Sequence, residues 1–317
     1  AELLGRAWSA GAGPGRGCEV IIDMDSSIVE TYGLAKQGAK FTYSHVRGYH
    51  PLVSVIAGTG DVVHCRLRGG NAHTGRGAAS FLTETFGRVR AAGASGALVL
   101  RADSGFYSHQ VVDACSDASV KFSITAKLYK GLHNRVAAIA DGQWVPTPYF
   151  NDGADVAEID FRPFGANSRT CRLIVRRTKP NPGSQLALLA TYAYHALITN
   201  RPGPTVTLEA EHRRHAEIEN TIRDLKYGVG LNHLPSGRFG ANAAWLALNV
   251  TAHNMARWTS RIGLGETIIA TDTLRRHHLR LPGRFTTSAR RSTLHLPQNW
   301  PWAEAFTTAL SKIRAIP

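Results

Sequence analysis

The stretch CEVIIDMDSS occupies residues 18–27 and predicts the first strand of the fold. Its first part, residues 18–24, is an apolar run of strand length that is rich in Val and Ile, as buried strands are. Asp23 and Asp25 stand at positions i and i+2 at the end of this run, so both side chains point to one face of the sheet. Because functional residues concentrate where a rigid strand ends, the stretch also marks a candidate site.

An antiparallel hairpin followed by alternating helices and strands is predicted next. Residues 50–57 and 62–67 have the composition of strands, and the turn GTGD at 58–61 lies between them. The later segments are a helix at 74–92, a strand at 97–102, a helix at 108–118 and a strand at 120–126. This order predicts an α/β fold in which a mixed β-sheet is flanked by helices.

The second half of the chain changes character. Residues 127–207 are rich in Pro, Gly and β-branched residues, with strand candidates at 172–176 and 194–199, which predicts a β-rich insertion. Apolar residues at helical spacing predict a long helix over 208–228, and a second helix is predicted over 241–262. The predicted division is a leader or linker remnant at 1–17, the first part of the core at 18–126, the insertion at 127–207, the second part of the core with the long helix at 208–262, and a helical, basic C-terminal tail at 263–317.

The charge balance favours a polyanionic partner. Lys and Arg number 37 against 23 Asp and Glu, so the net charge is +14 and the pI is near 10.1. Nucleic acid is the predicted partner, because Arg dominates over Lys and suits bidentate contacts to phosphate. No apolar run approaches the ~18 residues of a transmembrane helix and no signal peptide is visible, so no membrane partner is expected. The four cysteines contain no C-x-x-C pair, which favours reduced thiols in the cytoplasm.

Two further carboxylates extend the candidate site. Asp103 ends a predicted strand in the run LRADSGF, where it is either a turn residue or part of a site with the first two aspartates. Spacings of 3, 4 and 7 residues put four polar residues of the long helix on one face: His212, His215, Glu219 and Lys226. That face is either a solvated, charged surface or the source of a third carboxylate for the site.

This set of side chains predicts bound metal ions. Three carboxylates around a small cavity repel one another unless cations lie between them. Two Mg²⁺ ions about 4 Å apart satisfy that requirement, one activating a water or 3′-OH nucleophile and the other stabilising the leaving oxygen of a phosphodiester. Lys226 is then placed to hold a phosphate. A zinc site of His212, His215 and Glu219 is the other interpretation, but it departs from the H-E-x-x-H pattern and two arginines separate the histidines.

Three stretches resemble the transposases of bacterial insertion sequences, which form the DDE class with an RNase H-like catalytic core: DMDSS at 23–27, RADSGF at 101–106 and RHAEIENTIRDLK at 214–226. The group that the chain resembles carries the helix motif Y-x2-R-x3-E-x6-K. Glu219 and Lys226 match its second half. His215 stands in the place of the Arg, and His212 in the place of the Tyr. The stretches KQGAKFTY at 36–43, RGYHPL at 47–52 and LNHLPSGRFGANAAWLALNVTAHNMARW at 231–258 are similar too, so the resemblance spans roughly residues 18–310.

The resemblance implies a catalytic, metal-binding set of Asp25, Asp103 and Glu219, with Asp23 as the alternative to Asp25. It implies two Mg²⁺ ions, with Mn²⁺ as a substitute, and it identifies the β-rich stretch with an insertion found in this group. Proteins of the family have an N-terminal region that helps to bind terminal inverted repeats. Only a short leader precedes the first strand here, so a truncated copy or a fragment of a longer protein is expected.

The implied function is that of a DNA transposase, which hydrolyses phosphodiesters at the ends of its element and joins the freed 3′-OH to target DNA. Its partners are the terminal inverted repeats, target DNA and, in the synaptic complex, a second copy of the chain. It acts in the bacterial cytoplasm, on the nucleoid. Two alternatives stay open: a non-catalytic, DNA-binding remnant and an RNase H-like nuclease that never joins strands.

DNA contacts are expected from basic residues beside the site and in the tail, where no acidic residue occurs between Asp272 and Glu304. The candidates are Lys226, Arg214, His215, Arg238, Arg275, Arg276, Arg290 and Arg291. Trp144 is expected in the core, with stacking on a flipped base as the alternative.

Overall fold

A mixed β-sheet runs through the centre of the molecule. The computed structural model describes residues 2–148, 153–166, 168–179, 192–265, 269–297 and 299–316. In chain order the strands are β1 (Val20–Ser26), β2 (Val29–Glu30), β3 (Lys40–Phe41), β4 (Arg47–Tyr49), β5 (Leu52–Ile56), β6 (Val62–Arg66), β7 (Leu98–Ala102), β8 (Lys121–Thr125), β9 (Val145–Pro146), β10 (Ala154–Phe161), β11 (Cys171–Thr178), β12 (Ala193–Thr199), β13 (Arg284–Ser288) and β14 (Arg291–His295).

Within the described part of the chain, nine strands form the central sheet in the order β6-β5-β1-β7-β8-β12-β11-β10-β9. β1 pairs antiparallel with β5 and parallel with β7, and β7 pairs parallel with β8. The hairpin and the alternation that follow the first strand in sequence thus form one mixed sheet. Together with the helices that flank it, this sheet confirms the predicted fold class.

The strands of residues 127–207 extend the same sheet at one edge. β12 pairs antiparallel with β8, and β11 and β10 continue the antiparallel order. The segment interrupts the core in sequence, yet in space it adds strands to the core sheet. Residues 149–152, 167 and 180–191 of this segment lie outside the described residues. The division of the chain into domains stays a prediction.

Helices cover the sheet. In chain order they are α1 (Glu2–Ala7), α2 (Ala78–Ala91), α3 (His109–Asp117), α4 (Lys130–Ala137), α5 (Thr205–Arg213), α6 (Glu217–Arg223), α7 (Phe239–Trp258), α8 (Thr271–Leu274) and α9 (Ala303–Arg314). The long helix expected over 208–228 is a helical run from Thr205 to Gly228. It consists of α5, a 3₁₀ turn at Arg214–Ala216, α6 and a π-helical turn at Asp224–Gly228.

Alternation along β1 decides which layer each side chain faces. Ile22 and Met24 are buried in the apolar cluster that also contains Phe81 of α2. Successive strand residues point to opposite faces. Asp23 and Asp25 therefore face away from α2.

The opposite face of the sheet packs against α6. Val53 and Val55 of β5 are the register partners of the two aspartates of β1, and directly paired residues share a face. Both valines are buried in a second cluster with Ile218 and Leu225. The apolar stripe of the helical run thus holds that run over the aspartates.

The leader, expected to be a linker remnant, is helical and packed. Leu4 of α1 is buried, and a π-helical turn follows at Trp8–Ala12. The indole Nε1 of Trp8 donates to Oδ2 of Asp61 at 2.8 Å. These apolar and hydrogen-bonding side chains attach the segment to the body in spite of its glycines.

The C-terminal part contains more than the helices that were expected. β13 and β14 form an antiparallel hairpin whose residues are all exposed, and α9 follows it. Trp144 is buried in the main core, as expected for a packing residue. Among the described residues, no helix has both the length and the apolar character needed to cross a membrane.

Candidate active site

Asp23 is a buried structural carboxylate. Arg101 of β7 donates from Nε to Oδ1 at 2.6 Å and from Nη2 to Oδ2 at 2.7 Å. His215 Nδ1 lies 3.0 Å from the same Oδ1. Both oxygens are engaged and the side chain is about 2% exposed, so Asp23 is poorly placed to bind anything from solvent.

Asp25 differs from its neighbour on the same face of β1. Its Oδ1 accepts a hydrogen bond from the backbone N–H of Ser26 at 2.6 Å. Burial raises the pKa of Asp25 from 3.8 to about 6, against the lowering effect of that hydrogen bond, and the negative charges of Asp103 and Glu219 raise it further. The charge of His215 acts in the other direction. The structure thus brings all three predicted carboxylates into one electrostatic environment.

Asp103 is a turn residue, which is one of the two roles that the sequence left open. It follows β7 and caps a short 3₁₀ turn (Ser104–Phe106), where its Oδ1 accepts a hydrogen bond from Gly105 N at 2.9 Å. It is therefore a turn residue. At the same time it is only half-buried, and its charge acts on Asp25.

The helical run supplies Glu219 and Lys226. Glu219 lies in the first turn of α6 and is exposed. Burial lowers the pKa of Lys226, and the charge of Asp25 partly reverses that shift. Glu219 and Lys226 thus both interact electrostatically with Asp25 from one helical run.

The two histidines of this run separate in space. His212 is buried between two hydroxyl groups, with Nδ1 2.8 Å from Ser123 Oγ and Nε2 2.9 Å from Thr125 Oγ1. Burial holds its pKa well below its usual range. Neither ring nitrogen is free for a metal, which rejects the zinc interpretation. The 3₁₀ turn at Arg214–Ala216 turns His215 to a different side of the run from His212. The ring of His215 therefore contacts Asp23.

The predicted DNA contacts occupy three different settings. Arg214 is exposed and pairs with Glu217 at 2.8 Å, and Arg238 is exposed at the start of α7. Arg275 donates to the carbonyl oxygen of Gly228 at 3.0 Å. The remaining tail residues are exposed, Arg276 in a pair with Asp272 at 3.1 Å, Arg290 in the hairpin turn and Arg291 at the start of β14.

Arg101 and Arg68 are buried structural residues next to the candidate site that the sequence did not single out. Arg101 lies inside a buried, otherwise apolar strand. Because a buried charge needs a partner, this position could have indicated the ion pair with Asp23. Arg68 is buried and donates to the carbonyl oxygens of His50, His73 and Thr74. Nothing in the local sequence predicts that role.

The donor set fits magnesium. Oxygen ligands from one or two carboxylates, completed by water and phosphate, are what Mg²⁺ takes in phosphoryl-transfer sites. Burial is the main cause of the raised pKa of Asp25, and repulsion from Asp103 and Glu219 adds to it. A cation relieves that repulsion. In the described ranges, no group of three or more His, Cys, Asp or Glu side chains is placed to hold a metal ion. An ion at these carboxylates would take its other oxygen ligands from water and from the phosphate.

Comparison with known proteins gives a family and a fold. The family described as transposase DDE domain, group 1, matches residues 15–317. Among solved structures, the chain is similar to a piggyBac transposase in a synaptic complex with hairpin DNA, with a TM-score of 0.52 and 11% sequence identity over 83% of this chain and 52% of that chain. The chain thus spans about half the length of that transposase. A search of curated protein sequences finds no match.

Proposed function

This chain belongs to the group 1 family of transposase DDE domains, and we propose that it cuts and joins DNA with Asp25, Asp103 and Glu219 as its catalytic carboxylates. The observation that carries the proposal is geometric: Asp25 lies at the end of β1, next to the end of β7, which Asp103 follows, and the helical run with Glu219 packs over this face of β1. The parallel pairing of β1 and β7, with Met24 opposite Ala102, supports the proposal, because it puts Asp25 and Asp103 at the same end of two neighbouring strands.

Burial raises the pKa of Asp25 to about 6, and the charges of Asp103 and Glu219 add to that rise. We choose Asp25 over its alternative Asp23, because both oxygens of Asp23 pair with Arg101.

The three carboxylates would hold two Mg²⁺ ions, for which Mn²⁺ would substitute. When bound, such ions lower the pKa of the attacking water or 3′-OH and stabilise the leaving oxygen of the phosphodiester. The half-buried Asp103 and the exposed Glu219 leave room for substrate oxygens beside Asp25. Hydrolysis at the element end and strand transfer are both in-line displacements at phosphorus, so one site serves both.

Basic side chains around the carboxylates position the scissile phosphate. Burial of the Lys226 ammonium lowers its pKa, and the charge of Asp25 acts against that shift. A bound phosphate would likewise stabilise the charged form of this lysine. His215 stands in the position of the motif Arg, with Nδ1 held by Asp23, which leaves Nε2 for a phosphate oxygen. Arg214, next to His215, and Arg238, before α7, are both exposed and would contact the DNA backbone.

The partners follow from the reaction. The substrates are terminal inverted repeats and target DNA in the bacterial cytoplasm, and two copies of the chain hold the two ends in a synaptic complex. The net charge of +14 supports a DNA partner. The tail residues Arg275, Arg276, Arg290 and Arg291 contribute backbone contacts on this view. The similar piggyBac structure is itself a synaptic complex with DNA.

The test is strand cleavage and joining on a labelled duplex that carries the terminal repeat of the source element. Asp25→Asn, Asp103→Asn and Glu219→Gln are each expected to lower the cleavage rate by about a hundredfold or more while duplex binding persists. Asp117→Asn and Glu304→Gln are the matched controls, because both residues are exposed and distant in sequence from the site.

Other outcomes select the alternatives. Binding without cleavage by the parent protein identifies a non-catalytic remnant, and cleavage without joining identifies a nuclease. Cleavage by the three carboxylate variants at the rate of the parent would show that the site is elsewhere.

A further inference from the structure

A cavity of about 740 Å³ lies along the helical run, and the three candidate catalytic carboxylates are not among the described residues that line it. Thr221, Asp224 and Gly228 of the run line it, and their spacings of three, four and seven residues put them on one face. The other lining residues include Arg257 of α7 and Ala270, which precedes α8. The volume lies within the range of about 300–1,000 Å³ in which small ligands bind.

Arg257 brings a buried guanidinium to this cavity. The residue is 4% exposed, and its Nη2 lies 3.8 Å from Oδ2 of Asp224. Among the described residues, its buried Nε and Nη1 have no hydrogen-bond partner. Because a buried donor without a partner destabilises a fold, these nitrogens call for an acceptor from outside the chain.

Asp224 does not supply that acceptor, because its oxygens are used elsewhere. Oδ1 accepts from the backbone N–H of Thr271 at 2.9 Å, and Oδ2 accepts from the Thr271 hydroxyl at 2.7 Å. Nδ1 of His253 lies 3.0 Å from the same Oδ2. Burial lowers the pKa of Arg257, and the opposing effect of two nearby aspartates does not reverse that shift. The guanidinium therefore favours an additional negative charge over a water molecule.

The position of Arg257 is fixed by the packing of α7. One turn earlier, Asn254 Oδ1 accepts from the backbone N–H of Val62 at 2.9 Å, and its Nδ2 donates to the carbonyl oxygen of Val62 at 2.8 Å. A Cβ on Gly60 would lie 3.4 Å from Cζ of Arg257, so the guanidinium packs directly on the turn between β5 and β6. The donor groups are thus preformed.

The exposed carboxylates that line the cavity have cationic partners of their own. Glu217 pairs with Arg214 at 2.8 Å, and Asp272 pairs with Arg276 at 3.1 Å. Arg223 is exposed, lines the cavity as well and adds a second guanidinium. Two arginines of the lining can thus approach one anion.

We propose that this cavity binds the phosphate group of a small molecule, with Arg257 as its main donor and Arg223 as the second. A phosphate presents several acceptor oxygens, and its hydrogen bonds with a guanidinium are charge-assisted. A free phosphate or phosphomonoester suits the cavity better than a DNA strand, because Arg257 is buried and the half-exposed Glu217 and Asp272 repel the successive phosphates of a polynucleotide. A phosphate held by both arginines would join α7 to the helical run that carries Glu219. The inference does not depend on the proposed DNA chemistry.

Thermal melting with inorganic phosphate tests the site. We expect phosphate to raise the Tm of the parent by about 2 °C or more over sodium chloride of equal ionic strength, because it binds the folded chain only. Arg257→Met is expected to lose most of this increase. Arg314→Met is the matched control and should keep it, because Arg314 is exposed and is not among the described lining residues. Equal increases in the parent and in Arg257→Met would overturn the proposal.

A second variant keeps the test decisive if the first does not fold. Arg257→Met is expected to fold, because it removes two unpaired nitrogens and leaves Asp224 bonded to Thr271. Arg223→Met changes an exposed position and does not threaten the core. It is expected to lose part of the Tm increase, and a full increase in this variant would count against the site.

Calorimetric titration separates the sources of phosphate. Glycerol 3-phosphate is expected to bind the parent, and to bind Arg257→Met about tenfold or more weakly. The affinity for a short duplex is expected to be the same in both proteins. A duplex affinity that depends on Arg257, without binding of glycerol 3-phosphate, would assign the cavity to DNA and overturn the proposal of a small molecule. DNA cleavage by the parent, which tests the proposed function, is a separate measurement.

Discussion

Arg101 and Asp23 form a bidentate ion pair inside the sheet, with Nε to Oδ1 at 2.6 Å and Nη2 to Oδ2 at 2.7 Å. The guanidinium also donates from Nη1 to the carbonyl oxygen of Glu211 at 2.5 Å, so it ties β1 and β7 to the end of α5. The pair neutralises one of the two aspartates on this face of β1. It leaves Asp25 as the aspartate of β1 on which the charges of Asp103 and Glu219 act.

Loss of this pair should destabilise the fold. Arg101→Met leaves Asp23 buried beside His215 alone, and removing one partner of a buried ion pair costs about 3–5 kcal/mol. We expect the free energy of unfolding, measured by urea denaturation, to fall by that amount. Arg314→Met, at an exposed residue, should change it by less than about 0.5 kcal/mol. A loss below about 1 kcal/mol at Arg101 would contradict a structural role for the pair.

Asp25 should make the protein less stable as the pH rises. Its pKa is raised from 3.8 to about 6 in the folded chain, so between these values the folded state binds more protons than the unfolded state. The free energy of unfolding therefore falls as the pH rises through this window and stays lower above it. Asp25→Asn removes the effect.

Thermal melting from about pH 3.5 to pH 7.5 measures this effect of Asp25 on stability. We expect Asp25→Asn to melt above the parent at the upper pH and together with it at the lower pH, with Asp117→Asn following the parent throughout. A variant less stable than the parent at neutral pH would be the contrary result.

Magnesium should stabilise the chain through the three carboxylates. A ligand that binds only the folded state adds about 2.7 kcal/mol at a concentration of 100 times its Kd. We expect Mg²⁺ to raise the Tm of the parent and of Glu304→Gln, and to have little effect on Glu219→Gln or Asp103→Asn. An equal Tm increase in all four proteins would place the bound ion elsewhere.

His215 should be replaceable by the residue of the family motif. Arg at this position presents a permanent charge and a forked donor to a phosphate oxygen. We expect His215→Ala to lower the rate of DNA cleavage by about tenfold or more with duplex binding retained, and His215→Arg to keep most of the rate. Equal losses in both variants would show that the contact of His215 with Asp23, rather than a phosphate contact, is what matters.

The exposed hairpin of the tail should contribute to affinity without sequence preference. Arg290→Ala and Arg291→Ala each remove one phosphate contact on the proposed view. The slope of log K against log salt should fall by about one for each, with similar loss on every DNA sequence. Arg314→Ala is the control, and an unchanged slope in both hairpin variants would exclude the hairpin from the DNA interface.

Local patterns determined much of this molecule from the sequence. The strands at β1, β5 to β8 and the helix α2 were predicted within a few residues, because apolar runs and helical spacing record burial directly in the chain. The same patterns place Asp25 and Asp103 at strand ends and Glu219 and Lys226 one above the other on a helical run. The hairpin of β13 and β14 was missed, because its exposed residues carry no apolar alternation.

The tertiary structure alone decided the difference between Asp23 and Asp25. Their positions on the strand are equivalent, since both lie on the same face two residues apart. The partner that separates them, Arg101, is 78 residues away, and His215 is 192 residues from Asp23. The charges that the fold brings next to a carboxylate decide whether an ion pair neutralises it. These charges come from distant parts of the chain, so the local pattern of residues cannot predict them.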